Sequence, residues 1–164
     1  MKRMKNPNVS DTVQPDSLFE RQMTAWIAVV RTYNECQATL LAGLAPYEVS
    51  LLQHEIMMNL MRAPGLTQRE LAERCFSAKS GISMLLDRMQ NEGLAERRPH
   101  PEDSRARCIT LTDAGMALAR KLAEMQAAVV REMTGHYSDT QLEMLTGLMD
   151  DTAERLRQMR AQTA

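Results

Sequence analysis

The chain has 164 residues, of which 44% are hydrophobic and only 4% aromatic, and its formal net charge is −1. This length allows one domain with a substantial core, which has to be built from aliphatic and methionine side chains. A net charge near zero excludes a polybasic protein that coats nucleic acid through bulk charge, but it leaves room for a local basic surface.

The first part of the chain predicts a loose arm followed by two helices. Residues 1–16 carry two prolines among polar residues, and we predict a flexible N-terminal arm. Ser17 and Glu20 have the spacing of a capping box, in which each side chain satisfies a backbone amide at a helix start. Apolar residues at helical spacing then continue to Gly43, a natural helix end. A proline in the first helical position favours a second helix over residues 46–61.

The next two helices are short and close together. Thr67 and Glu70 form another capping box at the start of a third helix. Ser77 is predicted to cap a fourth helix, whose apolar residues share one face and which ends at Gly93. Two short helices joined by a tight turn, the second with a polar start, are typical of a helix-turn-helix.

A charged hairpin is predicted directly after these helices. Two strand-like runs, 94–98 and 107–111, flank a polar loop that contains two prolines. Within the loop Asp103 and Arg105 lie two residues apart, so the carboxylate can brace the guanidinium and leave the arginine at the tip. Such an arginine suits the narrow minor groove of DNA, where negative potential is concentrated. The strands carry three further arginines that we expect to contact phosphates: Arg97, Arg98 and Arg107.

The last part of the chain predicts two long helices. Thr112 can cap a fifth helix, which Gly135 ends, and Ser138 with Gln141 has the spacing of a further capping box. Apolar residues of the sixth helix recur at alternating spacings of three and four, close to the seam of a coiled coil. The seam consists of Leu142, Leu145, Met149, Thr152, Leu156 and Met159.

The predicted fold class is mainly α-helical with a small β-wing. We expect a winged helix-turn-helix region at residues 44–111 to bind DNA. Long helices at 17–43 and 112–164 flank this region, and their apolar stripes predict the interface of a homodimer rather than packing within one protomer.

The start of the fourth helix is the predicted reading element. In a helix-turn-helix the second helix lies in the major groove, and its N-terminal residues meet base edges. Lysine can donate to phosphate or guanine, serine can donate or accept, and a helical glycine lets a backbone approach closely. The candidates on this helix are Lys79, Ser80, Gly81, Ser83 and Met84. Two more, Thr67 and Gln68, open the preceding helix.

Two ordinary interpretations compete with DNA binding. A polar helix start is often only solvated, and a charged hairpin is most often a protected sheet edge. Residues 97–107, however, contain four arginines and two acidic residues. The combination of helix pair and basic hairpin favours groove binding over either alternative.

A series of motifs in chain order resembles the MarR (multiple antibiotic resistance regulator) family over about residues 44–122. The motifs are 66–74 (LTQRELAER), 79–83 (KSGIS), 86–89 (LDRM), 92–94 (EGL), 96–98 (ERR), 101–105 (PEDSR) and 111–115 (LTDAG). The resemblance implies a homodimer whose first and last two helices interlock. It also implies that wing and recognition helix enter the minor and major grooves of a pseudo-palindromic operator in double-stranded DNA.

The resemblance also implies residue roles and a mode of regulation. Arg105 matches the family's wing-tip arginine, Asp103 its brace, and Arg88 a helix arginine that often supports the wing. The family often has arginine where this chain has Met84. Most relatives are repressors that a small phenolic or lipophilic ligand, oxidation or a metal releases from DNA.

A ligand site is implied where the first helix meets the second helix and the DNA-binding lobe. Aromatic rings provide flat apolar surface with a polar tip, and methionine adapts to irregular shapes, so an aromatic acid or phenol would suit these residues. The alternative is that each is an ordinary core residue. The candidates are Trp26, Val30, Tyr33, His54, Met57, Met58 and Met61.

Other function classes find less support in the sequence. Three widely spaced cysteines exclude a fully paired disulfide framework and fit a reducing cytoplasm, although a cysteine-based redox-sensing regulator stays an alternative. The three histidines are scattered, so no metal site and no cofactor is predicted. No motif of an enzyme and no membrane segment is found. A winged-helix protein-interaction module is the second alternative, and it would not require Lys79 or Arg105.

Overall fold

The computed structural model describes residues 17–99 and 107–163. It confirms the predicted fold class, since these residues form six α-helices, one 3-10 turn and a small three-stranded sheet. The elements are α1 (Leu18–Leu44), the 3-10 turn (Ala45–Tyr47), α2 (Leu51–Arg62), β1 (Leu66–Thr67), α3 (Gln68–Arg74), α4 (Lys79–Asn91), β2 (Ala95–Pro99), β3 (Arg107–Leu111), α5 (Asp113–Thr134) and α6 (Asp139–Thr163). The chain divides into two compact units between Ala38 and Thr39. Among the helices described, none is both long and apolar enough to cross a membrane.

Helix α1 begins as predicted and ends differently. The backbone amide of Ser17 donates to Glu20 Oε2, and the amide of Glu20 donates to Ser17 Oγ, both at 3.1 Å, which confirms the capping box. Gly43 is not the helix end, because α1 continues to Leu44. A Cβ on Gly43 would lie 2.6 Å from Met125 Sδ, so this glycine makes room for a side chain of α5.

The predicted second helix over residues 46–61 is wrong at its start. Pro46 lies in the 3-10 turn, and the following Glu48 takes a left-handed conformation with φ of 55° and donates its amide to the carbonyl of Ala45. A left-handed residue interrupts the helix. Helix α2 therefore starts only at Leu51, where the hydroxyl of Ser50 accepts the amide of Gln53 at 3.2 Å.

The turn between α3 and α4 is a Schellman motif. Phe76 is left-handed with φ of 47°, and the amide of Ser77 donates to the carbonyl of Ala72 at 3.0 Å. Ser77 thus closes α3, and the prediction that it caps α4 is wrong. The N-cap of α4 is Ala78, which offers no side-chain hydrogen bond. The capping box of Thr67 and Glu70 at the start of α3 is confirmed.

The sheet has the strand order β1-β3-β2, and both pairings are antiparallel. The predicted hairpin is confirmed, with β2 shifted by one residue to Ala95–Pro99 and β3 at the predicted 107–111. Strand β1 was not predicted, and it pairs Leu66 with Ile109. Gly93, with φ of 69°, ends α4 as predicted, so β2 follows the recognition helix directly.

The core of the unit from Thr39 onward consists of aliphatic and methionine side chains, as the composition requires. Helix α4 contributes the face predicted from its periodicity, with Ile82, Leu86 and Met89 buried. Contacts of α2 with α5 and of α3 with α4 enclose this core from two directions. The opposite face of α4 is therefore left on the surface.

Helices α5 and α6 start where the sequence places them. Thr112 Oγ1 accepts the amide of Gly115 at 3.1 Å, and Gly135 closes α5. The amide of Ser138 donates to Gln141 Oε1 at 2.9 Å, and the amide of Gln141 donates to Ser138 Oγ at 3.3 Å, which confirms the predicted box before α6. Helix α6 has 25 residues, and none of them is buried.

Candidate nucleic-acid interface

The outer face of α4 carries most of the candidate DNA-contacting side chains. Ser80, Met84 and Arg88 recur every four residues and therefore lie along one stripe, opposite the buried face. Lys79 is exposed at the first position of the helix. Gly81 and Ser83 are half-buried at the edges of this face. The structure thus presents a continuous polar stripe with one methionine in it.

The two candidates at the start of α3 are hydrogen-bonded within the protein. The hydroxyl of Thr67 donates to Glu70 Oε2 at 2.7 Å as part of the capping box. Gln68 Nε2 donates to the carbonyl of Lys79 at 3.3 Å. The Gln68 bond links the start of α3 to the start of α4. That Thr67 and Gln68 contact DNA stays a prediction.

Arg97 connects the wing to the recognition helix. Its guanidinium donates to Asp87 Oδ1 at 2.6 Å and to Gln90 Oε1 at 2.9 Å, and its side chain is only 28% exposed. Both partners lie on α4, whereas Arg97 lies on β2. This arginine therefore sets the position of the hairpin relative to α4. Sequence reasoning assigned Arg97 to phosphates and missed both partners.

Two other arginines of this surface form exposed ion pairs. Arg98 pairs with Glu96, and Arg88 donates to Glu92 Oε1 at 2.7 Å on its own helix. Exposed ion pairs contribute only about 0–1 kcal/mol, so a phosphate can replace these carboxylates at small cost. Arg107 is exposed on β3. Asp103 and Arg105, the predicted wing tip, lie outside the described residues.

The candidate ligand residues of α2 differ in burial. Met57 and Met58 belong to the hydrophobic core and His54 is a buried polar residue, whereas Met61 is half-buried. Met58 and Met61 line an open cavity of about 350 Å³ between α2 and α5. The remaining lining residues are Arg62, Ala123, Gln126, Ala127, Val130 and Arg131.

His54 is an unusual polar group in this core. Its exposed fraction is 3%, and its Nε2 atom has no hydrogen-bond partner among the residues that the structure describes. Burial and, secondly, the charge of Arg62 lower the pKa of the imidazole, while the side chain of Gln126 acts in the opposite direction. Burial therefore disfavours the charged form of His54, which lies next to the cavity-lining Gln126.

The candidate ligand residues of α1 are on its surface. Trp26 and Val30 line a shallow groove of about 260 Å³ along α1, together with Ile27, Arg31, Asn34 and Glu35. The hydroxyl of Tyr33, another exposed residue, accepts a hydrogen bond from Gln37 Nε2 at 2.7 Å. Their part in ligand binding stays a prediction.

The thiols differ in their accessibility. Burial and the neighbouring carboxylate of Glu55 raise the pKa of Cys75 to about 11, so almost none of this thiol is ionised at neutral pH. Cys108 is also buried, and Cys36 is half-buried. With its high pKa, Cys75 is a poor candidate for a redox sensor.

No cluster of three or more His, Cys, Asp or Glu side chains that could hold a metal occurs in residues 17–99 and 107–163.

Comparison with known proteins places this architecture in one family. The model of the MarR family matches residues 47–106. An HTH-type transcriptional regulator of Bacillus cereus is 30% identical over 103 residues, which cover 62% of this chain and 68% of the relative. The transcriptional repressor YetL of Bacillus subtilis is 33% identical over 91 residues, covering 56% of this chain and 54% of YetL.

Solved structures agree with this assignment. AbsC, a MarR family transcriptional regulator from Streptomyces coelicolor, superposes with a TM-score of 0.77 at 26% identity, covering 86% of this chain and 97% of AbsC. A MarR variant from Escherichia coli in complex with operator DNA superposes with a TM-score of 0.69 at 20% identity, covering 84% and 99%. The chain belongs to the MarR family, and it is accordingly a DNA-binding transcriptional regulator and not an enzyme.

Proposed function

We propose that this protein binds a pseudo-palindromic operator as a homodimer and represses transcription until a small aromatic ligand releases it. The observation that carries the proposal is the exposed polar stripe of α4 beside an arginine-bearing hairpin, held in place by Arg97. Helix start and wing are the two elements that a winged helix-turn-helix inserts into DNA. Repression is also the activity in the name of YetL.

The apolar face of α6 supports the homodimer. Its partly buried residues, Leu142 and Ala153, lie on one side of the helix. Six large apolar side chains of this helix are exposed within the protomer: Met144, Leu145, Leu148, Met149, Leu156 and Met159. An exposed apolar patch of this length is typical of a protein interface. A second copy of the chain would cover it in a two-fold arrangement, which fits a palindromic operator with half-sites about one helical turn apart.

Arg105→Ala is expected to weaken operator binding about 100-fold. A homodimer loses two arginine contacts at once, each a charge-assisted hydrogen bond that contributes about 1.5 kcal/mol. Gel-shift titration with a duplex that the full chain selects from a random-sequence pool measures the effect.

The matched control for this variant is Arg120→Ala, which removes an exposed arginine of α5 and should leave affinity unchanged. Both variants should keep the helical circular-dichroism spectrum of the parent. Equal affinity of Arg105→Ala and the parent protein would exclude the wing from the mechanism of operator binding.

The cavity between α2 and α5 supports an aromatic acid as effector. Its apolar lining includes Met58 and Met61, and the cations Arg62 and Arg131 also line it. A flat ring could contact the methionines while a carboxylate pairs with a guanidinium. This cavity is adjacent to the buried His54, through Gln126.

Benzoate is therefore expected to raise the unfolding temperature and to release DNA. At about 100 times its dissociation constant a ligand stabilises the folded state by about 2.7 kcal/mol, which corresponds to a rise of roughly 5–10 °C. Arg131→Gln should reduce this shift, whereas Arg120→Gln should not. Absence of a shift with both benzoate and phenol would reject an aromatic effector.

A further inference from the structure

One side chain on the outer face of α4 differs in kind from its neighbours. Met84 is 70% exposed, and within α4, which is described throughout, it is the only large apolar side chain that is exposed. The other methionine of this helix, Met89, is completely buried. Single exposed apolar residues are common on protein surfaces, so exposure alone means little. The position of Met84 gives it significance.

Met84 lies in the middle of the stripe that faces away from the core. It is four residues after Ser80 and four before Arg88, and the exposed Asp87 is adjacent on the same face. The exposed neighbours of Met84 one turn away on this face, Ser80, Asp87 and Arg88, are polar or charged, so no apolar patch extends from it along α4. A recognition helix presents this part of its surface to the floor of the major groove.

The major groove offers a single kind of apolar group. Its base edges present hydrogen-bond donors and acceptors, except for the C5-methyl group of thymine. A thioether is only a weak acceptor, and it cannot donate to a guanine or a phosphate. Its flexible, polarizable chain packs well against a methyl group.

We propose that Met84 is a specificity-determining residue, which selects thymine in each operator half-site by packing against the C5-methyl group. The proposal rests on the proposed binding of operator DNA. The family often has arginine at this position, and arginine donates to guanine. With methionine in its place, we expect this position to read thymine instead.

The test uses the full chain and a duplex that it selects from a random-sequence pool. Each thymine is replaced in turn by deoxyuridine, which pairs in the same way and lacks only the methyl group. We expect each half-site to contain one sensitive thymine. Replacing this thymine in one half-site should lower the affinity about fourfold, the effect of one buried methyl group. Replacing both symmetry-related thymines should lower it about 15-fold if the two effects add.

Variants of Met84 assign the effect to this side chain. Met84→Ala should bind the thymine and the deoxyuridine duplexes equally at the sensitive position, while Met84→Leu should keep most of the difference. Lys79→Ala, a variant of a neighbouring cation, should weaken both duplexes by the same factor and so keep the ratio.

Three results would count against the proposal in distinguishable ways. No sensitive thymine with the parent protein would overturn it, and so would a sensitive thymine whose ratio is the same in Met84→Ala. In both cases the protein still binds DNA, and the proposed function stands. Failure of the full chain to enrich any duplex would instead overturn operator binding itself, and the role of Met84 with it.

Discussion

Gly115→Ala is expected to destabilise the folded protein by at least about 3 kcal/mol, the upper range for overpacking a buried position. A Cβ at Gly115 would lie 1.9 Å from the carbonyl oxygen of Leu94 and 2.9 Å from its carbonyl carbon. Both are backbone atoms, so no side-chain rotation can relieve the clash. The same carbonyl accepts the amide of Thr112 at 3.1 Å, and the Thr112 hydroxyl donates to the carbonyl of Gly93 at 2.6 Å.

Urea-induced unfolding, followed by circular dichroism, measures this loss, and Gly81→Ala is its matched control. Gly81 is the third residue of α4, as Gly115 is the third residue of α5. A Cβ on Gly81 would meet Ser77 Oγ at 3.6 Å, an ordinary contact. The control should therefore gain about 0.5–1 kcal/mol, the usual advantage of alanine over glycine in a helix. Similar stability of both variants would show that the junction relaxes and that close packing at Gly115 is not required.

The junction at Gly115 also explains how the fold positions the interface. Helix α4 ends at Asn91, just before Gly93, and β2 starts two residues after this glycine. The start of α5 is fixed to the connecting residues through Thr112. Arg97 then holds β2 against Asp87 on α4. The recognition helix and the wing are consequently positioned by the same few contacts, namely the Thr112 hydrogen bond and the Arg97–Asp87 ion pair.

Capping signals predict helix starts well in this chain because they are local. The boxes that begin at Ser17, Thr67 and Ser138 need only two side chains three residues apart, and each is formed. Two start signals fail for a common reason. Pro46 and Ser77 are both residue types that favour a helix start. Each lies close to a left-handed residue that redirects the backbone, Glu48 after Pro46 and Phe76 before Ser77.

Contacts between distant segments could not be predicted from the sequence. Strand β1 has two residues and no alternation, and only its pairing with β3 makes it a strand. Gly115 looks like an ordinary glycine in a helix until Leu94 is placed beside it. The steric requirement at that position is a property of the tertiary structure.

In the candidate site, too, features within one helix could be predicted, whereas contacts between elements could not. Helical periodicity was enough to place Ser80, Met84 and Arg88 on the outer face of α4. It could not show that Arg97 pairs with Asp87, because that distance depends on the register of the hairpin. Nor could it separate the buried Met57 from Met61, which lines a cavity.

Leu148→Lys is expected to raise the dissociation constant of the homodimer by at least about a thousandfold. Leu148 is 59% exposed in the single chain and lies within the apolar face of α6. In a two-fold interface the substitution removes two leucines, each contributing about 1.5–3 kcal/mol, and introduces two ammonium groups that would have to be desolvated. Light scattering over a dilution series should give twice the 18.5 kDa chain mass for the parent protein and the single mass for the variant.

Thr146→Lys is the control for this substitution, because it adds the same charge two residues earlier on a part of α6 outside the apolar face. It should remain a dimer at the same concentrations, and both variants should retain their helical content. The monomeric variant should also bind a palindromic operator and a single half-site with nearly equal affinity, since only a dimer can engage both half-sites at once. If Leu148→Lys stays dimeric, the apolar face of α6 is not the interface, and another surface has to account for two-fold operator recognition.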